Sequence, residues 1–165
     1  ELYNYIEVNL IKVALEDNKK VLTNSVLHKV NPDYVSYSSY DATNPSKSKE
    51  ELKESLHEAL DYIESFLPPK EGLPTGKRVW IGEYGTPAIH AGEQVQDERS
   101  KWTIKAGLEW GAPYILYWEM YNNEIHKKSG KQVGYWLIDD KAEKQAIWHT
   151  HNKFYEEGRA FVKDG

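Results

Sequence analysis

Arg78-Val-Trp-Ile-Gly-Glu-Tyr84 is the stretch on which the fold turns. β-branched and aromatic residues dominate it, a loop rich in Gly and Pro precedes it, and Gly85-Thr-Pro87 closes it, as expected of a β-strand. Alternation places Val79, Ile81 and Glu83 on one face. Two aliphatics and then a carboxylate at the C-terminal end is what a barrel interior opening into an active site would show. A strand-end Glu paired with a Lys or Arg at the rim would give the same pattern.

Downstream, Gln94 to Trp110 predicts a helix with Trp102, Ala106 and Trp110 at successive i, i+4 positions. Gly111 is a left-handed stop, and Pro113 opens a second strand, Tyr114-Ile-Leu-Tyr-Trp-Glu119. A polar excursion, Tyr121 to Gln132, and a short apolar piece, Gly134 to Ile138, come next. Asp140 with Glu143 predicts the cap of a last helix running to about Val162. Upstream, Ser48 to Leu67 is the plainest helix. Ser48 and Glu51 form a capping box, Leu52, Leu56, Ala59, Leu60, Ile63 and Phe66 make one apolar face, and Pro68-Pro69 ends it. Tyr34 to Tyr40 reads as a strand after the break Asn31-Pro32-Asp33. Val21 to Leu27 reads as a short strand or a single turn. Residues 2–17 read as a helix, with Asn4, Glu7, Lys12 and Glu16 on its polar stripe.

Strands alternating with long helices predict βαβ units and a parallel α/β sheet. The helix-to-strand link at Gly111-Ala-Pro113 is short, whereas the segments after the strands, 41–47, 85–93 and 120–140, are long. That asymmetry is expected of a TIM barrel, whose chemistry sits at the strand C-termini. A doubly wound sheet is the rival, but no Gly-rich phosphate loop follows any of these strands.

Composition narrows the chemistry. The 165 residues carry a net charge of −5, which argues against a nucleic-acid partner. No apolar run reaches the roughly 18 residues of a membrane span. The absence of cysteine removes disulfides, thiolate metal sites and a cysteine nucleophile. The six histidines show no metal-ligand spacing: His149 and His151 fall on different helix faces, and His90 and His126 lie in loops expected to be solvated. No Gly-x-Ser-x-Gly occurs. No metal or organic cofactor is implied. Tyr (12) and Trp (6) outweigh Phe (3), a balance suited to wet interfaces and sugar faces, although large cores are also closed by aromatics.

Three strand ends remain as candidate sites. Glu83 is the first. Trp118 could stack on a sugar ring or cover the mouth of a barrel. Glu119 points away from Trp118 in a regular strand and suits a rim hydrogen bond, while Glu124 lies in a loop and is expected in water. In the third, Ser36, Ser38 and Tyr40 share one face, where a hydroxyl could hold a nearby carboxylate. Val35, Tyr37 and Ser39 share the other, and Tyr37 suits packing under a helix.

Taken in order, Ser-Tyr-Ser-Ser-Tyr (36–40), Trp-Ile-Gly-Glu-Tyr-Gly (80–85) and Leu-Tyr-Trp-Glu (116–119) resemble strands 6, 7 and 8 of the retaining glycoside hydrolases built on TIM barrels. The resemblance covers roughly residues 30–162. It implies Glu83 as catalytic nucleophile, Tyr40 as its hydrogen-bonding neighbour and Trp118 as the aromatic lining the sugar subsite. It makes Tyr84, Tyr117, Glu119 and Asn122 weaker candidates for sugar contacts. The implied substrate is a β-linked oligo- or polysaccharide, and the implied location is extracellular or at the cell surface.

One departure stands out. That clan carries its acid/base Glu at the end of strand 4, usually as Asn-Glu, and Asn123-Glu124 lies after the last strand instead. A chain opening on Glu1 rather than Met, with strands 1 to 4 unaccounted for, is therefore expected to be the C-terminal portion (about strands 5–8) of one (β/α)8 catalytic domain. A whole barrel typically takes about 250 residues. The expected partner is the N-terminal half of the barrel, from the same polypeptide or a second chain, and the 165 residues alone are expected to be inactive. A non-catalytic carbohydrate-binding protein and a self-associating half-barrel are the rival readings.

Overall fold

Tyr5–Val8 is a β-strand (β1), not part of a helix. The computed structural model describes residues 2–121 and 124–164. The apolar spacing of residues 2–17 suits a helix, yet Tyr5-Ile-Glu-Val8 also alternates with period two, and pairing decides between them. The amide of Tyr34 donates to the Asn4 carbonyl (3.1 Å), and Asn4 and Asp33 exchange side-chain to backbone hydrogen bonds at 2.8 and 3.2 Å. These contacts dock β1 alongside β2 (Tyr34–Ser38). Leu10, in left-handed conformation at φ 55°, turns the chain into a short helix α1 (Ile11–Leu15). Where a strand or a single turn is expected at Val21 to Leu27, the chain forms helical turns: α2 (Leu22–Ser25) and a 3-10 turn (Leu27–Lys29).

The helix α3 (Lys49–Glu64) carries the expected capping box: Ser48 Oγ accepts from the Glu51 amide (3.2 Å) and Glu51 accepts from the Ser48 amide (2.7 Å). β3 (Val79–Tyr84), α4 (Ala88–Ala91), α5 (Glu93–Trp110), β4 (Ile115–Tyr117) and α6 (Ala146–Asp164) complete the order. The four strands form one parallel sheet in the order β1-β2-β3-β4. That sequential order lacks the reversal of a doubly wound sheet.

The chain divides into two compact units. The first, Glu1–Tyr84 with Trp102–Tyr117, holds the sheet. One face of the sheet is its core. Val35, Tyr37, Val79 and Ile81 are fully buried there with Ile11 and Ala14 of α1 and Leu52, Leu56, Leu60 and Ile63 of α3. Burying each such aliphatic side chain contributes on the order of 1.5–3 kcal/mol. Gly107 lets α5 lie against the sheet: a Cβ there would sit 2.7 Å from Ile115 Cδ1 and 2.8 Å from Ile81 Cδ1. At the strand N-termini, Arg78 is buried and its guanidinium donates to the carbonyls of Pro32, Asp33 and Pro68, while Glu64 accepts from the amides of Arg78 and Val79.

The second unit, Gly85–Lys101 with Trp118–Gly165, is held by polar groups as much as by apolar ones. Gln96 is fully buried and donates to the carbonyls of Thr86 (2.8 Å) and Gly134 (2.6 Å). Its last helix starts later than the Asp140–Glu143 pattern suggests. Asp139 accepts from the amides of Lys141 (2.9 Å) and Glu143 (2.8 Å), so the carboxylate closes a turn over 139–143 rather than capping a helix. No described helix is long and apolar enough to cross a membrane.

Candidate active site around Glu83

The site begins with a glycine. β2 and β3 run in register from Val35↔Val79 to Tyr37↔Ile81, and then Ser38 pairs with Glu83, leaving Gly82 as an extra residue. Such a bulge changes which face the following side chains take. Tyr84 therefore continues the buried face of Val79 and Ile81, and Glu83 joins the opposite face, with Ser36 and Ser38. This corrects the expectation that Val79, Ile81 and Glu83 share one face. Only glycine fits at the bulge, because a Cβ on residue 82 would lie 1.8 Å from Ser36 Oγ.

Glu83 is fixed at both ends of the residue. Its carbonyl accepts from the amide (2.8 Å) and hydroxyl (2.9 Å) of Ser39. Its carboxyl accepts from the hydroxyl of Tyr40 and lies against the Ser38 hydroxyl and the carboxyl of Glu7. Ser38 Oγ also donates to Glu7 Oε1 at 2.6 Å. Glu7 stands on β1 opposite Ser36, so the two carboxyls reach toward each other across β2. Glu7 is exposed and Glu83 half-buried, so water reaches the pair from the β1 side.

The electrostatics follow from these neighbours. Partial removal from water raises the Glu83 carboxyl above its ordinary range, the Tyr40 and Ser38 hydroxyls pull it back, and the charge and hydrogen bond of Glu7 raise it. A hydrogen bond between two carboxyls requires a proton on one of them.

Glu7 is the residue that sequence reasoning missed: its spacing suits the polar stripe of a helix, whereas it stands on a strand beside β2. The signal was present in the alternation of Tyr5, Glu7 and Ile6, Val8.

Of the other candidates, Tyr40 meets Glu83 directly. Tyr84 is 2% exposed, on the helix-facing side, with its ring edge against Tyr117 at 5.2 Å, so it is not placed to touch a sugar. Burial pushes its hydroxyl well above the usual tyrosine range. Trp118 and Glu119 belong to the second unit. The indole N–H of Trp118 donates to Glu124 at 3.0 Å, so Glu124 is half-buried and engaged rather than solvated. Beside it, a Cβ at Gly85 would meet Tyr135 at 2.8 Å, so Tyr135 and the Trp118 carbonyl close over Gly85. His90 lies on α4 and its ring contacts His126 edge-on at 5.4 Å, while His126 is half-buried and hydrogen-bonds Ser129. His90 is thus on a helix rather than in a loop but exposed as expected, and His126 is in a loop but only half-exposed. Asn122 lies outside the described residues. Among the described residues, no group of three or more His, Asp or Glu is arranged to hold a metal ion.

Comparison with protein-family models, curated proteins and solved structures finds no match to this chain.

Proposed function

We propose that these residues are the C-terminal portion of a (β/α)8 catalytic domain of a retaining glycoside hydrolase, with Glu83 as nucleophile. One observation carries the reading. At the C-terminal end of a parallel strand, on the face turned away from the helices, a glycine bulge presents a carboxyl to the Tyr40 hydroxyl. That is where α/β barrels place their chemistry. Ionised Glu83 attacks the anomeric carbon of a β-glycoside, and the bond to the leaving oxygen breaks. The leaving oxygen takes a proton from an acid carboxyl. Water, deprotonated by the same group, then releases the sugar and restores Glu83.

Retaining enzymes hold the two carboxyls about 5–5.5 Å apart. The reading takes the acid/base from outside these 165 residues, on the N-terminal part of the barrel or a second chain. Tyr40 orients Glu83. The sugar-stacking role implied for Trp118 suits a half-buried indole whose N–H is held by Glu124. Tyr117, Glu119 and Asn122 remain weaker candidates for sugar contacts. An extracellular or surface location follows from the substrate class.

In the intact polypeptide, Glu83→Ala is expected to abolish turnover of an activated aryl β-glycoside. Azide is expected to rescue it, giving an α-glycosyl azide, because the anion enters where the carboxylate stood. A β-glycosyl azide, or near-normal turnover without azide, contradicts the assignment.

A second reading, sugar binding without hydrolysis, has its own support. Trp80 stacks on Tyr34 (5.4 Å) and touches Tyr5 (5.2 Å) and Tyr114 (5.4 Å), forming an aromatic cleft of about 260 Å³ with Tyr5 and Tyr114 exposed. Sugar affinity lost in Trp80→Ala and kept in Glu83→Gln would favour it.

A further inference from the structure

Glu7 has no part in the chemistry just described, yet the sheet brings it to Glu83. Three features make the encounter specific. The register sets Glu7 opposite Ser36, one pleat from Ser38. The Gly82 bulge moves Glu83 level with Ser38 and onto the face of Ser36. Ser38 Oγ then donates to Glu7 at 2.6 Å and lies beside Glu83, so both carboxyls meet at one hydroxyl.

We propose that Glu7 is a positioning residue for Glu83: the pair shares one proton in the resting protein, which immobilises the Glu83 carboxyl, and Glu83 becomes fully anionic only when that proton leaves. The proposal rests on the reading of Glu83 as nucleophile. The step is a simple ionisation, in which the shared proton passes to water and leaves two carboxylates, Glu7 held by Ser38 and Glu83 held by Tyr40. Two neighbouring carboxylates repel, so the first proton is bound more tightly than by an isolated carboxyl.

The groups facing Glu83 are Glu7 from β1 and Ser38 and Tyr40 from β2 and the turn after it. On β4, Tyr117 meets Tyr84 on the buried face instead. Replacing Glu7 by Gln therefore removes the like charge and offers Glu83 an amide donor, and both changes favour its anion.

The test is an NMR pH titration of the chain carrying ¹³C at the Glu side-chain carboxyls, with the Glu83 signal assigned by its loss in Glu83→Gln. Glu83 is expected to titrate above the ordinary carboxyl range in the wild type and at lower pH in Glu7→Gln. Glu7→Ala, a truncation at an exposed position, is expected to shift it the same way. In the intact polypeptide, the acid limb of kcat/KM is expected to move to lower pH with the Glu83 midpoint. A Glu83 midpoint unchanged in both folded variants overturns the proposal. The titration needs no substrate, so that failure leaves the nucleophile reading standing. A nucleophile trapped at another residue removes that reading and the positioning role with it, while the shared proton would persist in the titration.

Discussion

Glu83 owes its position to Gly82. Period two alone would bury its carboxylate among Val79, Ile81 and the aliphatics of α3, at a desolvation cost that no partner there offsets. The bulge exchanges it for Tyr84, whose ring is apolar enough for the core. Gly82→Ala is accordingly expected to destabilise the chain by about 1–3 kcal/mol, the usual range for overpacking, and to release the Glu83–Glu7 contact. Adding Ser36→Gly removes the atoms at 1.8 and 3.1 Å and should recover most of the loss. Denaturant midpoints of the two variants check this, and equal destabilisation with and without Ser36→Gly would contradict it. An isolated glycine inside a strand is a local sign of a bulge, but the reason for it is not local, because the atom that forbids a side chain at residue 82 belongs to Ser36, on the neighbouring strand.

The legible elements are those that carry their own signals. α3 has both its cap and its stop within its sequence, so Ser48, Glu51 and Pro68 define it without reference to anything distant. β3, α5 and β4 are bounded in the same way by Gly and Pro. β1 is different: Leu2, Ile6, Leu10 and Val13 satisfy a helical period as well as Ile6 and Val8 satisfy a strand. Its pairing with residues about thirty positions on settles the matter. The start of α6 is hidden by shared chemistry, since an Asp that accepts two amides can cap a helix or close a turn. For α3 the expectation is quantitative. Ser48→Ala should cost about 0.5–2 kcal/mol, and Leu56→Ala, at a fully buried position, about 2–5 kcal/mol. Chemical denaturation measures both, and a Leu56→Ala variant as stable as the parent would remove α3 from the core.

At the scale of the molecule, the parallel sheet has helices packed on one face and a row of Tyr5, Glu7, Ser38, Trp80 and Glu83 on the other. The functional account depends on that second face. It presents hydroxyls and carboxyls toward the strand C-termini, at Ser38, Glu7 and Glu83. Toward the N-termini it presents aromatic rings, at Tyr5, Tyr34 and Trp80. The alternation of strands and helices makes the parallel sheet readable from sequence, and the polar triad of Glu7, Ser38 and Glu83 becomes visible only when three strands are laid side by side. The central claim is that Glu83 forms a covalent bond to sugar. Its most direct test is peptide mass spectrometry of the intact polypeptide after incubation with a panel of activated 2-deoxy-2-fluoro-β-glycosides. The account predicts one sugar attached to the peptide containing Glu83 and no such adduct in Glu83→Gln. A label carried by any other residue would contradict it.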